Sequence, residues 1–157
     1  MNRKNKFLFL ITLIIIFIYS CDAPPCEDSN GVLLNIGFYH FNGTSLKDTL
    51  IDSLNITLKN DSATLFLNGT KKKTGNVALP LSMIADSSTF IFQFDSVAYD
   101  TLTIRYNQYL KLVSHQCGFV NFFNITSYEN TTNRIDSVWI RKDLVEYGTE
   151  ENIKIYF

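Results

Sequence analysis

Apolar and polar residues trade places at every second position along much of this chain, in short runs cut by polar turns. Such alternation is the mark of strands with one face buried and the other in solvent. Leu54, Ile56 and Leu58 alternate with Asn55 and Thr57, and Phe90, Phe92 and Phe94 with Ile91 and Gln93. Leu102, Ile104 and Tyr106 do the same. Val32–Phe41 predicts a first strand, with Gly37 as a bulge. Asn42-Gly43 and Asn60-Asp61 predict turns, and Asn68-Gly69-Thr70 ends the run Ala63–Leu67. Val77–Leu81 contains Pro80, which makes it an edge or terminal strand. Asn107-Gln108 predicts a turn into Tyr109, Leu110 and Leu112. Gly118–Ile125, Ile135–Arg141 and Asn152–Phe157 complete the set. About nine short strands without a convincing helix predict an all-β fold over residues 31–157. The expected form is a single antiparallel β-sandwich, Ig-like or jelly-roll-like.

The N-terminal segment breaks this pattern. Met1–Lys6 is basic, and Phe7–Ile18 is apolar except for Thr12. Twelve residues are short of the roughly 20 that span a bilayer as a helix. They suit the helical core of an export signal. Ile18-Tyr19-Ser20-Cys21 then resembles the lipobox of bacterial lipoproteins, with a branched apolar residue three before the cysteine and a small one just before it. Tyr19 is bulkier than that motif's usual residue. The resemblance implies cleavage after residue 20 and lipidation of Cys21. Each buried lipid methylene adds about 0.8 kcal/mol, so two or three acyl chains hold a protein firmly. The expected organisation is a signal peptide at 1–20, an anchor and tether at 21–30, and the sandwich at 31–157. The expected address is the cell envelope, facing the periplasm or the surface. Asp22 fits inner-membrane retention, and with Glu27 and Asp28 it fits surface export.

Lipid on Cys21 changes the cysteine arithmetic. It leaves Cys26 and Cys117, which an oxidising compartment would pair. The alternative is two separate thiols. A disulfide closing so long a loop contributes about 4–5 kcal/mol in the chain-entropy account.

Several phrases resemble a family of small bacterial lipoproteins of unknown function. They are Leu79-Pro80-Leu81, Ser88-Thr89-Phe90 with Phe92, Leu102–Tyr106, Val113-Ser114 with Cys117-Gly118-Phe119, and Ile155-Tyr156-Phe157. His115-Gln116 departs from the small residue or proline that family members usually carry before the cysteine. The resemblance implies the address and the fold and assigns no chemistry.

Charge and candidate chemistry exclude more than they identify. The net charge is −1, and losing residues 1–20 removes Arg3, Lys4 and Lys6 but no acid, leaving about −4. Nucleic acid is a poor partner for such a chain. His40 and His115 lack partners at zinc-ligand spacing, so no metal or other cofactor is expected. Ser114, His115 and Cys117 do not complete a catalytic triad if Cys117 is bonded. Lys71-Lys72-Lys73 reads as a solvated hairpin tip. Asp-Ser/Thr-apolar recurs, for instance at Asp100-Thr101-Leu102 and Asp136-Ser137-Val138, and is similar to an O-glycan acceptor motif. Turn chemistry is the favoured account, because Asp and Ser cap a turn and the apolar residue opens the next strand. The expectation is a non-enzymatic envelope protein, tethered to the membrane, with a protein or glycan partner. The competing expectation is a small-ligand or glycan binder that stacks its ligand on Tyr39, Tyr99, Tyr106, Tyr109 or Trp139.

Overall fold

A computed structural model describes residues 31–157 apart from 42–45, 49–50, 52–53, 60, 69–73, 95–97 and 115–116. Cys21, Cys26, His115 and Lys71–Lys73 lie outside the described residues, as do the expected turns at Asn42-Gly43 and Asn60. The described chain is all-β, and its eleven strands form two sheets.

The first sheet joins β1 (Leu33–Phe41), β2 (Leu46–Asp48), β5 (Asn76–Pro80), β9 (Ser137–Ile140) and β11 (Ile153–Tyr156). One edge of β1 is shared by β5 along its first half and β2 along its second. Its other edge takes β11, and β9 follows. The β1–β11 pair is parallel, the one departure from an otherwise antiparallel sandwich among the described strands. Pro80 stands at the end of a strand that pairs with β1 alone, the edge place its missing N–H requires.

The second sheet runs in the order β10 (Leu144–Val145), β8 (Gly118–Asn130), β7 (Ala98–Ser114), β6 (Ser87–Phe94), β3 (Leu54–Leu58) and β4 (Asp61–Asn68). Burial along β6 alternates at every residue, as its sequence predicts. Phe90, Phe92 and Phe94 face the core with Leu102, Ile104 and Tyr106 of β7. Leu34, Ile36 and Phe38 of β1 and Ile153 and Ile155 of β11 close on them from the other sheet. Phe38 meets Phe92 edge-on at 6.5 Å between ring centres, and Phe94 meets Phe157 at 5.1 Å. Burying one such ring contributes about 1.5–3 kcal/mol, so this inter-sheet layer dominates stability.

Two expectations give way. Asn107-Gln108 makes no turn: β7 continues for 17 residues, and these two pair with Asn124 and Phe123 of β8. The reversal falls beyond Ser114, where Gly118 adopts a left-handed φ of 68° that suits glycine. Gly37 makes no bulge either. It keeps register with Asn76 on one side and Lys154 on the other. Its role is to leave room, because the Glu151 carboxylate occupies the place a side chain would take.

Candidate functional site

The long β7–β8 pair outruns its own sheet. β6 accompanies β7 only as far as Arg105, and β10 reaches β8 only at Phe123 and Asn124. Beyond these points the two strands pair only with each other; every residue from 107 to 114 is exposed, while Val120 and Phe122 of β8 still pack against the core and Phe122 meets Tyr147 at 5.5 Å. A two-stranded ribbon is marginal in water unless something packs on it. Directly paired residues share a face. Leu112 therefore sits beside Phe119, with Leu110 one step behind on the same side. These side chains are 49%, 67% and 65% exposed. The opposite face carries Tyr109 stacked on Phe122 at 5.9 Å, and the Lys111 ammonium lies 5.4 Å from the centre of the Phe122 ring. Val113, where the register shifts between Leu112 and Ser114, is exposed as well.

The ribbon's base is anchored by Tyr106. This side chain is buried, and its hydroxyl donates to the Ser82 carbonyl at 3.1 Å while the Ser88 hydroxyl lies 2.8 Å away. Burial raises its pKa above the ordinary phenol value, against the opposing effect of the Ser88 bond. Ser82 follows Pro80, and Pro80 pairs with Leu33 at the start of β1. The N-terminal segment therefore enters the sandwich at the end from which the ribbon leaves. Met83 and Ile84 are also exposed at this end. Among the described residues, every exposed large side chain without a polar atom lies here; the others are Leu110, Leu112, Val113 and Phe119. Large exposed apolar patches on soluble domains mark contact sites.

The outer face of the first sheet offers a different chemistry. Lys154 of β11 lies between Gly37 and Trp139 in register. Its ammonium stands 4.3 Å from the Tyr39 ring centre and 5.9 Å from that of Trp139. Tyr39 donates to Glu151 Oε2 at 2.7 Å, while Glu151 Oε1 is buried without a hydrogen bond, 3.7 Å from the Arg141 and Lys154 nitrogens. The carboxylate borders a groove of about 260 Å³ lined also by Asn35, Gly37, Asn76 and Thr149.

Of the aromatics expected to form a binding platform, only Tyr39 and Trp139 come together. Tyr106 belongs to the core, Tyr109 to the ribbon, and Tyr99 to the far end of β7. His40 Nδ1 donates to the Phe157 carbonyl at 2.6 Å, a structural use. The Cys117 N–H donates to the Ser114 hydroxyl at 3.0 Å, beside the turn that follows β7. Among the described residues, no three His, Cys, Asp or Glu side chains gather at metal-binding distance, and no helix is long and apolar enough to cross a membrane. Pattern reading missed Glu151 and Lys154, because nothing local ties either to Gly37 or Tyr39. It also missed a signal in plain view: no carboxylate occurs between residues 107 and 124.

A match to a family of unknown function, DUF6452, covers residues 53–157, and the chain belongs to that family. The match begins after β1 and β2. No curated protein matches the chain, and no solved structure does.

Proposed function

We propose that this protein is a lipid-anchored component of a bacterial cell envelope that acts by binding rather than catalysis, with the β7–β8 ribbon as its contact element. The observation that carries this is the gathering of exposed aliphatic side chains at the end where the N-terminal segment enters. An export signal and a lipobox cysteine lie just upstream, so a tether at Cys21 would leave from that same end. Pairing of Cys26 with Cys117 is part of the proposal, since it would fasten the tether to the ribbon's turn.

The test has two arms in the native host. Cys21→Ser should leave a protein of unprocessed mass that no longer fractionates with membranes as a lipoprotein. Equal membrane retention of the variant, without processing, would sink the anchor. A photocrosslinking residue at Tyr109 should capture envelope material that the same residue at Tyr99 does not. Identical capture at both positions would remove the ribbon's claim.

A second reading is favoured by one observation, the Lys154 ammonium held between Tyr39 and Trp139 beside the Glu151 groove. Aromatic faces with flanking hydrogen-bonding groups suit a sugar. Titration with envelope oligosaccharides should quench or shift Trp139 fluorescence under this reading, and a flat response would end it.

A further inference from the structure

We infer that the ribbon tip rests in the interface of the bilayer that holds the lipid, so that the domain stands on two feet, the acylated Cys21 and the apolar side chains Leu110, Leu112, Val113 and Phe119. This rests on the lipid-anchor reading and goes beyond it by naming what covers the ribbon.

Reach is the first argument. Residues 107–114 run about 27 Å at strand spacing, the first part beside Phe122 and Val120, which pack on the core, and the rest projecting past them. The chain from Cys21 to Val32, the start of the packed domain, spans at most about 38 Å fully extended. Both leave from the same end of the sandwich. A tether only modestly longer than the ribbon keeps the tip near the plane in which Cys21 is anchored. A bond from Cys26 to Cys117 would tighten this to five residues of chain, about 17 Å, plus the bridge.

Composition is the second argument. The chain beyond residue 20 is acidic overall, yet 107–124 holds no carboxylate and one cation, Lys111. A surface meeting phospholipid headgroups must lack negative charge and gains from a cation. Lys111 lies over the Phe122 ring, with a tyrosine, Tyr109, on the same face. Tyrosine and lysine near an apolar tip are the side chains that settle at headgroup level. Leu110, Leu112 and Phe119 supply the apolar part on the other face, and apolar contact with the acyl boundary is what drives interfacial binding. Each strand of the ribbon bonds to the other, so the tip carries few unpaired backbone groups on its inner side into the interface.

The experiment uses the full lipidated chain in vesicles of phosphatidylethanolamine and phosphatidylglycerol with brominated acyl chains. Trp139→Phe removes the single native tryptophan, and reporters are placed by Phe119→Trp, by Leu112→Trp and, at the far end of β7, by Tyr99→Trp. The inference expects the reporters at 119 and 112 to be quenched several-fold more than the one at 99. Equal quenching at all three, in protein that floats with the vesicles at its lipidated mass, would overturn it and assign the tip to a protein partner. Protein that neither floats nor carries lipid would overturn the anchor, and the inference with it.

Discussion

Gly37 lies beneath the Glu151 carboxylate so closely that a β-carbon on it would fall 1.8 Å from Oε2. The tyrosine that donates to that oxygen, Tyr39, is itself 2.9 Å from the same point. Gly37→Ala must therefore swing Glu151 aside and break the Tyr39 bond. Because a flexible carboxylate can move, the cost should be moderate, about 1–2 kcal/mol in denaturant unfolding. In a Glu151→Ala background the same change should cost clearly less. Additive losses in that double-mutant cycle would show that the two residues do not interact.

Asp100 is fully buried and ties the 131–135 segment to β7. Its oxygens accept from the Thr131 hydroxyl at 2.6 Å and from the backbone N–H of Asn133, Arg134 and Ile135 at 2.8, 2.7 and 3.1 Å. Burial pushes its pKa up, but these bonds together outweigh it and hold the pKa below the usual carboxylate value. Asp100→Asn turns an amide N–H₂ toward backbone donors and should cost about 3 kcal/mol. A carboxylate whose folded pKa is depressed contributes stability above the unfolded value and loses it as pH falls through the folded one. Wild-type stability should therefore drop as pH falls below about 4, and the variant should lack this component. Parallel acid-unfolding profiles would contradict the assignment.

Tyr106 holds the ribbon's base, and its sign is the opposite. A phenol whose folded pKa is raised stabilises fully below the unfolded value, about 10, and that contribution fades as pH rises above it. Tyr106→Phe loses the Ser82 and Ser88 bonds and should cost about 1–2 kcal/mol at neutral pH. The variant should also unfold less steeply above pH 10 or so, which alkaline titration by circular dichroism measures.

The ribbon tip is exposed and adds little to stability. Leu112→Ser and Phe119→Ser should each change unfolding free energy by no more than about 0.5 kcal/mol, since neither side chain is packed. A loss of several kcal/mol in either variant would place these residues in a packed core instead.

What could be read from the sequence and what could not divides along one physical line. Alternation predicted β3, β6 and the first half of β7 because these strands have a buried face and an exposed one. It failed at Asn107-Gln108, where β7 has passed its last β6 neighbour and its own side chains are all exposed, although Phe123 opposite stays buried. Two polar residues between apolar stretches then look like a turn, although the backbone runs straight on. Pro80 announced its edge because the missing donor acts locally. Gly37 did not announce its neighbour, since Glu151 is more than a hundred residues away in sequence and the glycine conserves space rather than a special dihedral. Asp100, in a phrase that reads as a turn, is already paired in β7, near its start, with Phe92 as its partner. Its acceptor role depends on a loop 31–35 residues downstream.

The parallel seam between β1 and β11 brings the opening strand of the domain against its closing one, Ile36 beside Ile153. Synthesis delivers these two strands last to each other. A chain made as far as residue 150 already contains β1, yet β1 still lacks the neighbour that covers one of its edges. Closure of this sheet is therefore a late, high-contact-order event, slow by comparison with the β6–β7 and β7–β8 hairpins. The order of strands along the chain thus leaves the domain unfinished until its final strand has been made and has locked beside the first.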